Sequence, residues 1–455
     1  MDPRLAQEAV SAQVTRQIFE TPYELCEDVR KVRECLFQDL LRAESSGTRP
    51  VYSAAVRDGI HFSDGTPLTA AHVAQALSES EDLKQQAQVS LQGDRLHFTL
   101  LRPNCRFETT LTQTYCSVGL EKEGKFLGTG PYQAQPSARP DAVHLVRNPY
   151  YRGEVGFDEI LFKVYPPAPD GGHGPLLAAI DNGEVDFTNA VTRKDAELIK
   201  KARTRIEPGT STAILYFNTE RLTDPTLRRA LALAIDRQDI AGLFYRNPLT
   251  FAANSLLPRV MGGRDDGLAH DMQGALVMLA HAGTQKPERM RLLLTWAPRP
   301  YLPNPRAAGE RIARFFERLG IRVDLIQPAD SREYYQRVEK GDYEMELSGW
   351  VADTPDPAEF LEANLSSERI PGPGRAPVAA TNESRWRNAA ADDAIACYRS
   401  DPSEVCKNRI LDLVSQEVPL FPLMYGPSII VHSRRIASFK PPVFGWPSLA
   451  NLKPV

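Results

Sequence analysis

Residues 213–245 read AILYFNTERLTDPTLRRALALAIDRQDIAGLFY. Ala213 to Phe217 is an apolar run of strand length, of the kind buried on both faces. Asp224 then offers a helix N-cap, with Pro225 at the first helical position, where its missing N–H costs nothing. The apolar spacing carries that helix to about Ile235, and Asp236 caps a second helix from Arg237 to Tyr245. A buried strand feeding capped helices is the signature of α/β layers.

The same rhythm continues toward the C-terminus. Met290 to Thr295 reads as a strand and Pro305 to Leu319 as an amphipathic helix stopped at Gly320. Ile321 to Ile326 is a strand, Ser331 to Lys340 a helix, and Tyr343 to Gly349 a strand. Residues 366–385 are rich in Pro, Gly, Ser and Asn and read as a long surface loop. Residues 419–432, PLFPLMYGPSIIVH, are apolar and predict a strand packed into a sheet.

Toward the N-terminus, Ala6 to Phe19 predicts a helix and residues 51–62 a strand. A Ser63–Pro67 turn follows, then Thr69 as the cap of a helix from Ala70 to about Ser78. Residues 87–101 alternate on either side of Gly93-Asp94, as in a β-hairpin. Residues 141–148 and 157–165 are strands, and Leu176 to Asn182 is a short helix closed at Gly183.

Composition bounds the function. The chain has 455 residues, which at ~150 residues per domain gives two to four domains. Hydrophobic residues are 42% and charged residues 25%, values of a globular protein. A net charge of -4 argues against nucleic acid or an anionic membrane as partner. No stretch approaches the ~20 apolar residues of a membrane helix. The opening MDPRLAQEAV lacks the basic and apolar regions of a secretory signal, so the chain is either cytosolic or begins after a removed leader.

Catalytic patterns are missing: no GxSxG, HExxH or GxxxxGK[ST] occurs, Gly128 and Gly130 lack a third glycine in phase, and the eight histidines are scattered. These features predict neither an enzyme, a metal site nor a cofactor. The six cysteines form three local pairs, Cys26 with Cys35, Cys105 with Cys116 and Cys397 with Cys406, separated by 9, 11 and 9 residues. Such spacing hints at disulfides and an oxidising compartment. The pair at 397 and 406 is the best candidate. Ser400-Asp401-Pro402-Ser403 should break the helix between them, whereas one continuous helix would part the sulfurs by ~13 Å.

A series of segments, in order along nearly the whole chain, resembles the extracellular solute-binding proteins of peptide ABC transporters, the oligopeptide- and dipeptide-binding family 5. Met1-Asp2-Pro3 and residues 16–21 resemble its "LDP … iyEgL" opening. FSDGTPLTAAHVAQAL at 62–77 is similar to "FhDGtp.tAeDV..sl". GTGPY at 128–132, with Arg147-Asn148-Pro149-Tyr150-Tyr151, is similar to "GTGPY … RNpdYw". AAIDNGEVD at 178–186 and Phe217-Asn218-Thr219 with LRRALALAIDRQDI follow the family's order. Ser348-Gly349-Trp350 through Leu361 is similar to "sGW.aD..dP..fl", and VPLFPLMY at 418–425 closes the series. Ala71-His72 replaces the family's acidic pair, and Cys26 to Arg49 lacks its usual counterpart.

The resemblance implies a two-lobed periplasmic-binding-protein fold (class II, cluster C type) with mixed sheets and a hinge, ligand lying in the cleft. Lobe I is expected over residues 1–216 with 428–455 returning to it, and lobe II over 217–427. The implied function is capture of a peptide or peptide-like solute and delivery to an ABC transporter permease, by a monomeric periplasmic or cell-surface protein. In peptide-binding relatives the aspartate at the place of Asp353 pairs the ligand's α-ammonium; a buried ammonium needs such a fixed anion. Trp350 is expected as an aromatic wall. Arg299 and Arg306, flanking a Pro-rich loop, are the candidates for the ligand's carboxylate, with Trp296 beside them. Two other uses of the same fold compete with transport: a ligand sensor or regulatory protein, and a biosynthetic enzyme.

Overall fold

The computed structural model describes residues 3, 9–26, 31–136, 141–166, 173–265, 267–281, 286–352, 354–376, 379–437, 444 and 448–455. The chain divides into two compact units, one of Met1–Arg205 with Ile430–Val455, the other of Ile206–Ile429.

The first unit runs through α1 (Ala9–Ile18), β1 (Tyr23–Leu25), β2 (Val32–Glu34), β3 (Arg42–Ser45), β4 (Val51–Ala55), α2 (Ala70–Glu79), α3 (Glu81–Lys84), β5 (Ala87–Gln92) and β6 (Arg95–Leu100). It continues with α4 (Phe107–Thr110), β7 (Leu120–Lys122), β8 (Lys125–Leu127), β9 (Tyr132–Gln135), β10 (Ala142–Arg147), β11 (Glu159–Lys163), α5 (Gly174–Asp181), β12 (Phe187–Thr188) and α6 (Arg193–Leu198). Its largest sheet has the order β3-β4-β6-β5, all antiparallel. Alternation along β6 buries Leu96, Phe98 and Leu100 in one core with Val73, Ala76 and Leu77 of α2 and with Phe37 and Phe107. The strand expected over 51–62 stops at Ala55, because Gly59 turns the chain at a φ of 76°.

Two motifs of the first unit prove to be fold determinants. Thr69 caps α2, accepting from the His72 N–H at 3.3 Å while His72 Nδ1 accepts from the Thr69 N–H at 3.2 Å. His72 thus completes a capping box with Thr69. The GTGPY segment lies against the end of α1: Gly130 N–H donates to Ile18 O at 2.9 Å, and a Cβ on Gly128 would meet that same oxygen at 1.9 Å. Asn148 of the RNPYY segment donates to Gly130 O at 2.8 Å, so the two segments are one interlocked turn.

The second unit contains most of β13 (Arg203–Phe217), then α7 (Pro225–Leu233), α8 (Arg237–Gly242), α9 (Pro248–Phe251), α10 (Met272–Ala280), β14 (Arg289–Leu294), α11 (Pro305–Glu317) and β15 (Arg322–Ile326). There follow α12 (Ser331–Lys340), β16 (Met345–Val351), α13 (Pro357–Leu365), α14 (Ala389–Ser400), α15 (Glu404–Glu417) and β17 (Leu420–His432). The unit boundary lies near the start of β13, not at its end, because Ser211 to Phe217 pair with β16 inside the second unit. Within the second unit the strand order is β17-β13-β16-β14-β15, mixed, with β14 parallel to β15 and to β16 and β13 antiparallel to β16; β12 pairs with Val431 and His432, the end of β17 that belongs to the first unit.

Strands β13, β14 and β16 distribute their side chains between two layers. Ala213, Leu215, Phe217, Met290, Leu292, Leu294, Met345 and Leu347 join the core formed with α7, α8 and α11. Leu293, one residue out of phase, packs with Tyr334 and Val338 of α12 and with Tyr343. The sheet is therefore sandwiched between helices, the arrangement that an apolar strand rhythm demands.

Caps and one buried cation join the layers. Asp224 Oδ1 accepts from Thr226 N–H at 2.8 Å and Asp236 Oδ1 from Gln238 N–H at 2.9 Å, starting α7 and α8 where the sequence predicts. Arg228 is only 2% exposed. Its guanidinium donates to Leu222 O at 2.6 Å, Thr223 O at 3.0 Å, and Glu417 O and Val418 O at 3.1 Å each. It satisfies carbonyls just ahead of α7 and at the end of α15, where Val418 takes a left-handed φ of 46°.

Of the cysteine pairs, Cys397 and Cys406 are bonded, with a Cα–Cα distance of 6.0 Å. The helix breaks between Ser400 and Glu404, and Ser403 caps α15, so α14 and α15 fold back on one another. The other two expected bridges are corrected. The β1–β2 register sets Tyr23 opposite Glu34 and Leu25 opposite Val32, which leaves the Cys26 and Cys35 thiols at opposite ends of the hairpin. Cys116 is a thiol buried in the core beside Phe107, whereas Cys105 is exposed. The segment expected as a surface loop is also pinned: Asn382 is fully buried and donates to Ser366 O and Trp386 O, each at 3.0 Å.

Two outcomes are expected. Arg228→Met should cost about 3 kcal/mol or more in urea unfolding, since buried carbonyls lose their donor. Reduction of the Cys397–Cys406 bridge, which closes a short loop, should lower stability by about 2–3 kcal/mol. The Cys397→Ser variant should show the same melting temperature with and without reductant.

Candidate functional site

The pairing of β13 with β16 sets the site in the second unit. Tyr216 stands opposite Glu346, Ile214 opposite Ser348 and Thr212 opposite Trp350. Since Met345 and Leu347 face the large core, alternation turns Glu346, Ser348 and Trp350 to the other layer. Gly349 is required here: a Cβ would lie 2.2 Å from Thr212 O and 2.7 Å from the Tyr301 ring, whose hydroxyl donates to Gly349 O at 3.1 Å.

An aromatic cluster covers this layer. Trp296 follows the end of β14, and Tyr334 and Tyr335 stand on the first turn and a half of α12, which Asp330 caps through Glu333 N–H at 2.8 Å. The Trp296 ring centroid lies 4.9 Å from Tyr334 and 5.4 Å from Tyr335. Arg299 stacks on the Trp296 ring at 4.1 Å, a cation–π geometry. The Arg299–Leu302 turn is closed by reciprocal backbone bonds of 3.0 and 2.9 Å, which fixes where the guanidinium starts. Among the described residues Arg299 has no ion-pair partner, and Tyr335 is 37% exposed.

Against this cluster lie two carboxyl groups. Tyr334 Oη contacts Glu346 Oε1 closely, Ser348 Oγ at 3.3 Å and Glu383 Oε1 at 3.2 Å. Tyr343 Oη donates to the Glu383 carbonyl at 2.7 Å and holds the 379–388 segment in place. Glu346 is fully buried and its Oε2 has no hydrogen-bond partner. Burial, and then the neighbouring Glu383, hold the Glu346 carboxyl well above the usual carboxylate range. Burial likewise pushes the Glu383 carboxyl up to about 7, against the lowering effects of Glu346, Tyr334 and Arg299.

Of the residues expected from sequence, Trp296 and Arg299 are brought into contact, and Trp350 is half-buried on the sheet face of Glu346. Arg306 stands on the first turn of α11, exposed and paired with Glu310 at 3.0 Å. Asp353 lies outside the described residues; just beyond it, Thr354 Oγ1 donates to Glu359 at 2.6 Å and Asp356 caps α13. Glu346, Glu383, Tyr334 and Tyr335 escaped sequence reading. The available signal was a lone acid inside the apolar strand MELSGW, where a charge without a partner is costly.

A second acidic group, in the first unit, has a different character. Glu20, Glu24 and Cys35 each offer a ligand atom within 4.8 Å of the others. Arg152 already bonds Glu20 at 2.7 Å, while Arg16 and Arg33 bond Glu24 at 2.9 and 2.6 Å. Burial raises the Cys35 thiol, keeping it protonated. Three guanidinium groups on two carboxylates leave excess positive charge, which opposes a bound metal ion.

Comparison with known proteins agrees with this architecture. The model of bacterial extracellular solute-binding proteins, family 5 Middle, matches residues 43–372. The probable ABC transporter periplasmic-binding protein SapA of Escherichia coli K12 is 26% identical over 366 residues, covering 73% of this chain and 63% of SapA. The dipeptide-binding protein of the same organism is 23% identical over 373 residues, covering 77% of this chain and 67% of that protein. The structure of HbpA2 from Haemophilus parasuis matches with a TM-score of 0.85 at 21% identity, covering 100% of this chain and 97% of that one. The fold is that of the periplasmic binding proteins, and the class is solute-binding. The chain belongs to the bacterial extracellular solute-binding proteins of family 5. Its match spans a little under two thirds of the length of SapA.

The acid pair has a measurable signature in stability. The Glu383 carboxyl ionises at a higher pH folded than its ordinary value of 4.5. The native state therefore binds more protons between about pH 4.5 and 7. Unfolding free energy should fall through that window, by on the order of 1–3 kcal/mol from Glu383, and the raised Glu346 carboxyl carries the fall beyond it. Urea unfolding at pH 5, 6, 7 and 8 checks this, and Glu383→Gln should make the fall shallower.

Proposed function

We propose that this protein is the substrate-binding component of an ABC transporter, taking a peptide or peptide-like solute outside the cytoplasmic membrane and passing it to a permease. Membership of family 5 supports the transport reading over the sensor and enzyme readings. The names of two relatives, a periplasmic-binding protein and a dipeptide-binding protein, support a peptide ligand and a periplasmic or cell-surface location. In the described residues no helix is long and apolar enough to cross a membrane. We take the working form to be a monomer without cofactor.

One observation carries the ligand assignment: Arg299 lies over the Trp296 ring at 4.1 Å and has no ion-pair partner among the described residues. A half-buried guanidinium so placed is ready for a ligand carboxylate, and the ring beneath it supplies apolar contact. Asp353, by its place in the family resemblance, is assigned the ligand's ammonium group. Trp350 is assigned the wall of the site, and Arg306 is left to the rim.

Native mass spectrometry of the purified protein should reveal a peptide or amine-bearing metabolite at one copy per chain. In calorimetric titration with that compound, Arg299→Ala and Asp353→Asn should each weaken binding by about 2–5 kcal/mol. Unchanged affinity in either variant rejects that residue's role. An empty protein showing no thermal shift with a mixed peptide library rejects the peptide reading itself.

A further inference from the structure

Glu346 and Glu383 pose a problem of proton accounting. Among the described residues, the donor that reaches both is the Tyr334 hydroxyl, which carries one proton for three acceptors, Glu346, Glu383 and Ser348. Among the described residues, neither carboxyl group receives an arginine, a lysine or a backbone N–H, and Glu346 Oε2 is buried without a partner. Two carboxylates in such a place would leave two negative charges facing one another in low dielectric. At least one must keep its proton at neutral pH.

The groups around the pair come from every element packed on it. β13 contributes Tyr216, and α12 contributes Tyr334 and Tyr335. Tyr343 precedes β16, Tyr301 and Arg299 lie in the loop after β14, and Arg385 follows Glu383. The four phenols Tyr216, Tyr301, Tyr334 and Tyr343 are raised by burial and stay neutral. Arg385 is committed to Glu220 at 2.6 Å. Arg299 is thus the cation whose surroundings change when the pair loses its first proton, from Glu383, and it lies on Trp296 at 4.1 Å.

We propose that Glu346 and Glu383 are a proton-sharing pair, and that ionisation of Glu383, with Glu346 keeping its proton, switches the field on Arg299 and so the readiness of the Trp296–Arg299 face for an anionic group. With the proton held, Arg299 has no competing carboxylate among the described residues. With it released, Glu383 draws on the same guanidinium, and a ligand carboxylate meets a weaker electropositive site. Capture is then favoured on the acidic side of neutrality. The bearing on capture rests on the function proposed above; the existence of the switch does not.

The test therefore uses the ligand-free protein. In carbon-13 NMR of protein labelled at the glutamate carboxyl carbons, two resonances should titrate above pH 6, and both should be altered or lost in Glu383→Gln. Trp296 fluorescence, taken as the difference between wild type and Trp296→Phe, should change with a midpoint near pH 7, and Glu383→Gln should abolish the change. Near-UV circular dichroism confirms that the variant is folded; should it not fold, Arg299→Lys replaces it and is expected to move the midpoint upward or downward by a measurable shift. The proposal is overturned if every glutamate titrates below pH 5.5, or if the Trp296 signal is flat from pH 5 to 8.5. It is equally overturned if a folded Glu383→Gln protein titrates as wild type does.

Discussion

The second unit depends on the register between β13 and β16. Seven consecutive residues of each strand are paired, Ser211 with Val351 through Phe217 with Met345. Strand side chains alternate, so this register sends Leu215 and Leu347 to the large core and Tyr216 and Glu346 to the α12 layer. A slip of one residue would drive Glu346 into the core of α7, α8 and α11 and turn the apolar residues out. Arg228 and the caps at Asp224 and Asp236 hold the helices that make such a slip costly.

From that register follows an unusual allocation of polarity. A sheet face in an α/β layer is normally filled by aliphatic side chains. Here one position on each of the two central strands is given to Tyr216 and Glu346, and the facing segment brings Glu383. The surrounding phenols satisfy part of the hydrogen-bonding need, and retained protons reduce the rest. The same cluster supports Trp296 and Tyr335, so the aromatic face with Arg299 is backed by a polar interior and not by an inert core.

The legibility of the site differed residue by residue. Trp296 and Arg299 were visible as an aromatic and a cation after a predicted strand, in a Pro-rich turn. Glu383 was not, because a run of Pro, Gly, Ser and Asn reads as solvent-exposed loop; the burial of Asn382 and its two carbonyl partners overrides that reading. Cysteine spacing had the same weakness. At a spacing of nine residues, Cys397 and Cys406 lie on two helices folded back on each other, while Cys26 and Cys35 lie at opposite ends of a hairpin. Sequence separation is identical in the two cases and spatial separation is not.

The sequence by itself determined the α/β class, most helix starts and the family. These depend on local chemistry: an Asp or Thr before a helix, Pro at its first position, and glycines where backbones touch, as at Gly128 against Ile18 O. Only the tertiary structure decided which charged groups meet. Glu346 and Glu383 are separated by a helix and a loop, and Arg299 stands before them on a third segment. No local preference encodes their approach. It comes from strand register and from the packing of α12, and burial then sets the protonation that solvent would otherwise have fixed.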